Sequence, residues 1–415
     1  MIGKILFFVY YFVILFGFLI ELPLTWGLTT RRVSLVVALF SIAMKRREFK
    51  EVISNINLKR YRLFVFLFFI CFCISFFHSL SISTRDDGYT KQFELQFYLY
   101  IYLYVFVFSL YCKIVFDSIK SFALIWLPII LIEAGSVFLA LSNNTINILF
   151  TMMFASDDRF EISAEHGSRI VGLGIMGAPG SIVLSTGVIL LVLLRYKQVI
   201  NLLLFYTLFV YIFVATLFVG RTGVVIEVVT LCFGSLLLGR KRDVFGLVFV
   251  GIASLAVLIF IFEGMDSSIA AKFQNWMMGS IDSDSRNHTI DGIVGTGIPL
   301  LNGFDMIFGS GIMRGNDGHG GFYDLDSGLI MTLIANGIVG FVCYYYALLN
   351  LLLLPKLKIT SKERYFFLLL ISISFIIEFK EPFFLKYFYA WFILAVMFLW
   401  QDGKCLTSYG RKLKK

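Results

Sequence analysis

Apolar runs of about 20 residues recur along the whole 415-residue chain, and no other feature restricts its possible folds as strongly. Each run, coiled as a helix, is long enough to cross the hydrocarbon core of a bilayer, where a backbone must satisfy its own hydrogen bonds. Charged residues make up only 15% of the chain, against about 25% in ordinary soluble domains. No stretch is both long and polar enough to stand as a soluble domain. The expected fold class is an all-α integral membrane protein of about twelve transmembrane helices, forming one polytopic domain over 1–415. The spans are expected at 5–25, 27–44, 63–83, 94–112, 122–140, 180–194, 199–219, 222–239, 244–262, 328–349, 365–378 and 387–401. The first follows Lys4 and lacks a small-residue cleavage site, so it is expected to stay as a span.

Charge orients these spans. Short loops on one side carry KRREFK, KRYR, RYK, GRKR, KLK and KER, and the tail carries GRKLKK; most of the 36 lysines and arginines lie there. Positive residues favour the cytoplasmic side, so both ends are expected in the cytoplasm. The formal net charge of +9 then reflects membrane orientation, and membrane lipid rather than nucleic acid is the expected surrounding. The cysteines (Cys71, Cys73, Cys112, Cys232, Cys343 and Cys405) fall within spans or on the inner side, so no disulfide framework is expected.

Two long loops are left on the outer side, 141–179 and 263–327. Loops of that length are usually functional or disordered. The second gathers Asp266, Asp282, Asp284, Asp291, Asp305, Asp317, Asp324 and Asp326 against the cations Lys272, Arg286 and Arg314. Phe273, Trp276 and Met277, then Ile290, Ile293 and Val294, recur at helical spacing, which predicts short amphipathic helices in the headgroup plane. Asp282, Ser283 and Asp284 suit the cap of one of them.

Four arginines stand on the outer side: Arg169 in GSRIVGLGIMGAPG, Arg221 in VGRTG, Arg286 in DSRNHTIDGIVGTG and Arg314 in IMRGNDG. A guanidinium is permanently charged and offers a planar fork of donors that matches phosphate oxygens. Neighbouring glycines let backbone and ligand approach closely. Such a set at a membrane surface suits a lipid-linked phosphate or diphosphate; each arginine taken singly also suits a headgroup anchor or a partner for the loop aspartates. An Arg-x10-Gly spacing occurs once in each long loop, as Arg169 with Gly180 and Arg286 with Gly297. His319 and Asp326 are both able to take a proton from a sugar hydroxyl. Alternatively His319 is an exposed turn residue, and Asp326 caps the span that starts near Gly328. Asp282/Asp284 and Asp324/Asp326 form Asp-x-Asp triplets of the kind that hold hard cations, though the pattern is common in acidic loops. Glu133 and Glu227 are acids inside spans; Glu227, below Arg221 on one span, is expected to pair with it.

The order of these features resembles a known family. LNGFDMIFGSGIMR and DLDSGLIMTLIANGIVG around the late loop, RIVGLGIMGAPG before the sixth span, GRTG opening the eighth and the terminal FKEPFFLKYFYAWFI are similar to the O-antigen polymerases called Wzy, to which the O-antigen ligases are related. The resemblance implies an inverting, metal-independent glycosyltransferase of the bacterial inner membrane that needs no cofactor. Donor and acceptor would be oligosaccharide repeat units on undecaprenyl diphosphate, joined at the periplasmic face, with a chain-length regulator as partner. The family's Arg-x10-Gly motifs would map onto Arg169 with Gly180 and Arg286 with Gly297. Ligases carry a histidine just before the span after the large loop; here that place reads Asp324, Leu325, Asp326, and His319 stands earlier. That departure favours polymerase over ligase. A lipid-linked oligosaccharide flippase, also of about twelve spans, would instead place its charges within the spans.

Overall fold

The computed structural model describes residues 2–20, 29–81, 99, 101–154, 173, 177–238, 303–309, 327–356, 359–380 and 388–400. These are helical almost throughout. Named strands are absent among them, and one isolated bridge joins Ile56 to Pro355. In chain order the helices are α1 (Ile2–Leu19), α2 (Thr30–Met44), α3 (Arg46–Ser54) and α4 (Leu58–Ser81), then a π-helical stretch (Ile101–Val107) running into α5 (Phe108–Val115). There follow α6 (Ile119–Ser142), α7 (Asn144–Phe154), α8 (Gly177–Tyr196), α9 (Leu202–Val219) and α10 (Arg221–Leu237). The last are α11 (Phe304–Phe308), α12 (Gly328–Leu352), α13 (Ser361–Lys380) and α14 (Phe388–Trp400). Among the described residues, five stretches are long and apolar enough to cross a membrane: Leu58–Phe77, Ile119–Ser142, Pro179–Tyr196, Leu202–Val219 and Gly328–Leu352. Leu6–Leu19, Ile101–Val115 and Tyr389–Trp400 are apolar but shorter. The ninth expected span, 244–262, lies outside the described residues.

Local chemistry sets the helix starts. Ser118 and Ser121 form a capping box at α6, Asn201 accepts from Leu204 N at 2.8 Å ahead of α9, and Thr360 and Glu363 cap each other's backbone N–H at the start of α13. Apolar side chains cover both the inner and outer faces of the long helices. On α4, Phe64 and Cys71 are buried while Phe66, Phe69, Phe76 and Phe77 are exposed; a helix apolar all round belongs in an apolar solvent, compatible with a membrane protein. The densest part of the core is aromatic. Trp391 of α14 stands edge-on to Phe108 and Trp126, with ring centroids 5.2 and 5.3 Å apart. Its hydrogen bonds are tied across helices: Trp126 Nε1 donates to Thr186 Oγ1 at 2.9 Å, and Ser109 Oγ donates to the Trp391 carbonyl at 2.9 Å. On the side rich in basic loops, Asn57 N donates to Leu354 O and Lys356 N to Asn55 O, clasping the start of α4 to the end of α12.

The tenth span, expected as one helix over 328–349, is broken. Gly337 adopts φ +63° and ψ −174° in the middle of α12, a backbone state that glycine alone enters without strain. Gly309, at φ +82° after α11, seats against the break: a Cβ on Gly309 would lie 2.2 Å from Ala335 O, and one on Gly337 would lie 2.4 Å from Ile307 O. The first half, 328–336, is about 13 Å long, under half the thickness of a bilayer core. It also folds toward the second half. The Tyr345 hydroxyl lies 3.3 Å from Thr332 Oγ1, whereas an unbroken helix would hold these residues about 20 Å apart along its axis. Tyr345 donates as well to Glu378 Oε1 at 3.0 Å, and Thr332 donates to Gly328 O at 2.8 Å. A buried hydroxyl chain thus joins α13 to the first turn of α12. From α4, Ser75 Oγ donates to Asn336 Oδ1 at 3.4 Å beside the break. Ser327 caps the helix by accepting from Ile330 N, so the cap expected at Asp326 falls one residue later.

Candidate functional site

Helices α8 and α10 run side by side in the same direction. Ser181 meets Gly223 near their starts and Val192 meets Gly234 near their ends, with equal spacing along both helices. The contact at the start is backbone to backbone: a Cβ at Gly223 would lie 2.2 Å from Ser181 O, so only glycine lets the helices approach so far. Gly223 N donates to Ser181 Oγ at 3.0 Å. Gly220 precedes α10 and provides no side-chain cap, so Ser181 takes over part of that role from the neighbouring helix.

Two of the eight expected site residues come together here. Gly180 immediately precedes Ser181 and is buried, and Arg221 opens α10 with its side chain exposed. Two helix starts, each carrying the positive end of its dipole, therefore share one end of the bundle with a guanidinium. Backbone N–H groups and positive potential at such starts are suited to phosphate. Leu173, within the RIVGLGIMGAPG stretch, donates its N–H to Ser136 Oγ of α6 at 3.0 Å. The helices below this end bury several polar side chains, Glu133, Ser136, Ser185, Thr186, Thr216, Glu227 and Thr230.

The pairing expected between Glu227 and Arg221 is not formed. Glu227 Oε1 lies 2.7 Å from Thr216 Oγ1 of α9, and Oε2 has no hydrogen-bond partner. The reason is angular: residues six apart on a helix point about 120° away from each other, so sharing a span does not bring them face to face. Ser181, Thr216 and Thr230 carried no weight in the sequence. Their only signal there is a hydroxyl or acid placed at helical spacing inside apolar runs.

The other expected site residues, Arg169, Arg286, Gly297, Arg314, His319 and Asp326, lie outside the described residues. So do the amphipathic helices expected around Trp276 and Ile293 and the Asp-x-Asp triplets at Asp282 and Asp324. Among the described residues, no three of His, Cys, Asp and Glu gather as they would around a metal ion. No family model matches the chain, and neither a curated protein nor a solved structure is significantly similar to it.

Proposed function

We propose that the chain is an O-antigen polymerase, a glycosyltransferase that joins undecaprenyl-diphosphate-linked repeat units at the periplasmic face of the bacterial inner membrane. One observation supports the reading: Gly180 and Arg221, chosen from sequence as parts of a diphosphate site, flank the Ser181–Gly223 contact at the paired starts of α8 and α10. The order of motifs along the chain supports it, as does the positive-inside charge pattern, from which that end is expected outside the cytoplasm.

In this mechanism an acceptor sugar hydroxyl attacks the anomeric carbon of the donor glycan from the face opposite the diphosphate. The new glycosidic C–O bond forms as the bond to the diphosphate breaks, which inverts the configuration. The electron pair leaves with undecaprenyl diphosphate, whose growing charge is met by Arg221 and the first turn of α10, with Arg169, Arg286 and Arg314 as the further cations proposed from the sequence. Asp326 or His319 takes the hydroxyl proton. The leaving group arrives already activated, so no nucleotide sugar is consumed.

The surface glycan of a strain lacking the gene tests this reading. A lipid A-core capped with single repeat units is expected. Bare core would assign the chain to the ligases, and loss of repeat units from the periplasmic leaflet would assign it to the flippases.

A further inference from the structure

Glu227 and Thr230 are wholly buried near the middle of α10, three residues apart and so on one face of it. Glu227 Oε2 and Thr230 Oγ1 each lack a hydrogen-bond partner. Buried hydroxyls on apolar helices ordinarily turn back to a carbonyl of their own helix. Thr216 does so to Ile212 O at 2.9 Å, Ser185 to Ile182 O at 2.6 Å and Ser374 to Leu370 O at 2.9 Å. Thr230 does not. The hydrogen count at Thr216 is also short: its single hydroxyl hydrogen faces both Ile212 O and Glu227 Oε1, the latter at 2.7 Å. Given to the helix carbonyl, it leaves the contact with Glu227 to be bridged by a proton on the carboxyl or by a cation that replaces that proton. Glu227 Oε2 and Thr230 Oγ1 thus have lone pairs that no neighbouring group meets, with Thr216 beside Glu227, at a depth where water is scarce and an acid is expensive.

We propose that Glu227, Thr216 and Thr230 form an intramembrane binding site for a small monovalent cation, sodium. Carboxylate and hydroxyl oxygens are the donors that hard cations take. One carboxylate supplies one negative charge, so a monovalent ion leaves the buried site neutral, whereas a divalent ion would leave net charge in hydrocarbon. Sodium at unwound or polar places within transmembrane helices is an established physical solution. The site lies about 9 Å along α10 from Arg221, and a bare carboxylate there would oppose the hold on a diphosphate; the bound ion removes that opposition. This last consequence rests on the function proposed above, whereas the ion site itself does not.

The full-length protein in nanodiscs, treated with dicyclohexylcarbodiimide, tests the site without any activity assay. The reagent adds to protonated carboxyls in apolar surroundings, and mass spectrometry reads the Glu227 peptide separately from those of Glu133 and Glu378. Sodium is expected to slow modification of Glu227 about tenfold or more relative to choline, and potassium far less. Thr216→Val/Thr230→Val is expected to lose that protection. Equal modification rates in sodium and choline, or protection that survives the double substitution, would overturn the proposal. Equilibrium binding of radioactive sodium decides it independently: wild type is expected to bind one ion that Glu227→Gln does not, and equal binding by the two would refute the site.

Discussion

At Ser181 and Gly223 a single hydrogen bond and a missing side chain decide how closely two helices pack, and both can be removed separately. Gly223→Leu places several carbons where the Ser181 carbonyl already stands, so α8 and α10 must separate. Overpacking of this kind costs about 1–3 kcal/mol, and a matching fall in thermal stability in detergent is expected. Ser181→Ala deprives Gly223 N–H of its acceptor, a loss of about 1–3 kcal/mol without overpacking the contact. Arg221 behaves differently because its side chain is exposed. Arg221→Ala is expected to leave stability within about 0.5 kcal/mol of wild type while chain extension falls. Arg221→Lys keeps the charge but loses the planar fork, so partial activity is expected. A stability loss in Arg221→Ala as large as that in Gly223→Leu would show that the arginine supports packing.

Among the elements, α12 departs furthest from a plain transmembrane helix. Its break needs φ > 0 at Gly337 and a matching glycine at 309, so Gly337→Ala or Gly309→Ala combines backbone strain with a collision against main chain. A cost of about 1–3 kcal/mol each is expected. The two share one contact, so their costs should fall short of adding. Tyr345→Phe removes the donor to Glu378 and the contact with Thr332, and a loss of about 1–3 kcal/mol is expected. If α12 were instead a straight span, Tyr345→Phe and Gly337→Ala would both be nearly silent. The break was not legible in the sequence, because a glycine within an apolar run is tolerated in transmembrane helices and only the facing Gly309 gives Gly337 its meaning. Helix positions were legible for the opposite reason: apolar length alone sets them, as at α9 and α10. The cap at Ser327 was missed by one residue because Asp326 and Ser327 are both good caps. The Glu227–Arg221 pairing was misread because closeness along a span was taken without the helical angle. Thr230 could not be singled out at all, since whether its hydroxyl turns back on its own helix is a matter of rotamer.

Over the whole molecule, the account requires the starts of α8 and α10 to face away from the cytoplasm and the clasp of Asn57 and Leu354 to face toward it. Single cysteines placed at Arg221 and Ser54, both exposed, in a cysteine-free background should differ in reaction with an impermeant maleimide on intact spheroplasts. The first is expected to label from outside and the second only after lysis; the reverse pattern would place the arginine on the wrong side for a lipid-linked glycan. The central claim, that guanidinium groups at this end hold the diphosphate while sugar is transferred, is met most directly by purified full-length protein acting on synthetic undecaprenyl-diphosphate-linked repeat units. Wild type is expected to extend these units with chelator present, and Arg221→Ala and Arg286→Ala each to lower the rate about 10²-fold or more at unchanged protein level. Extension at the wild-type rate by both variants would contradict the account.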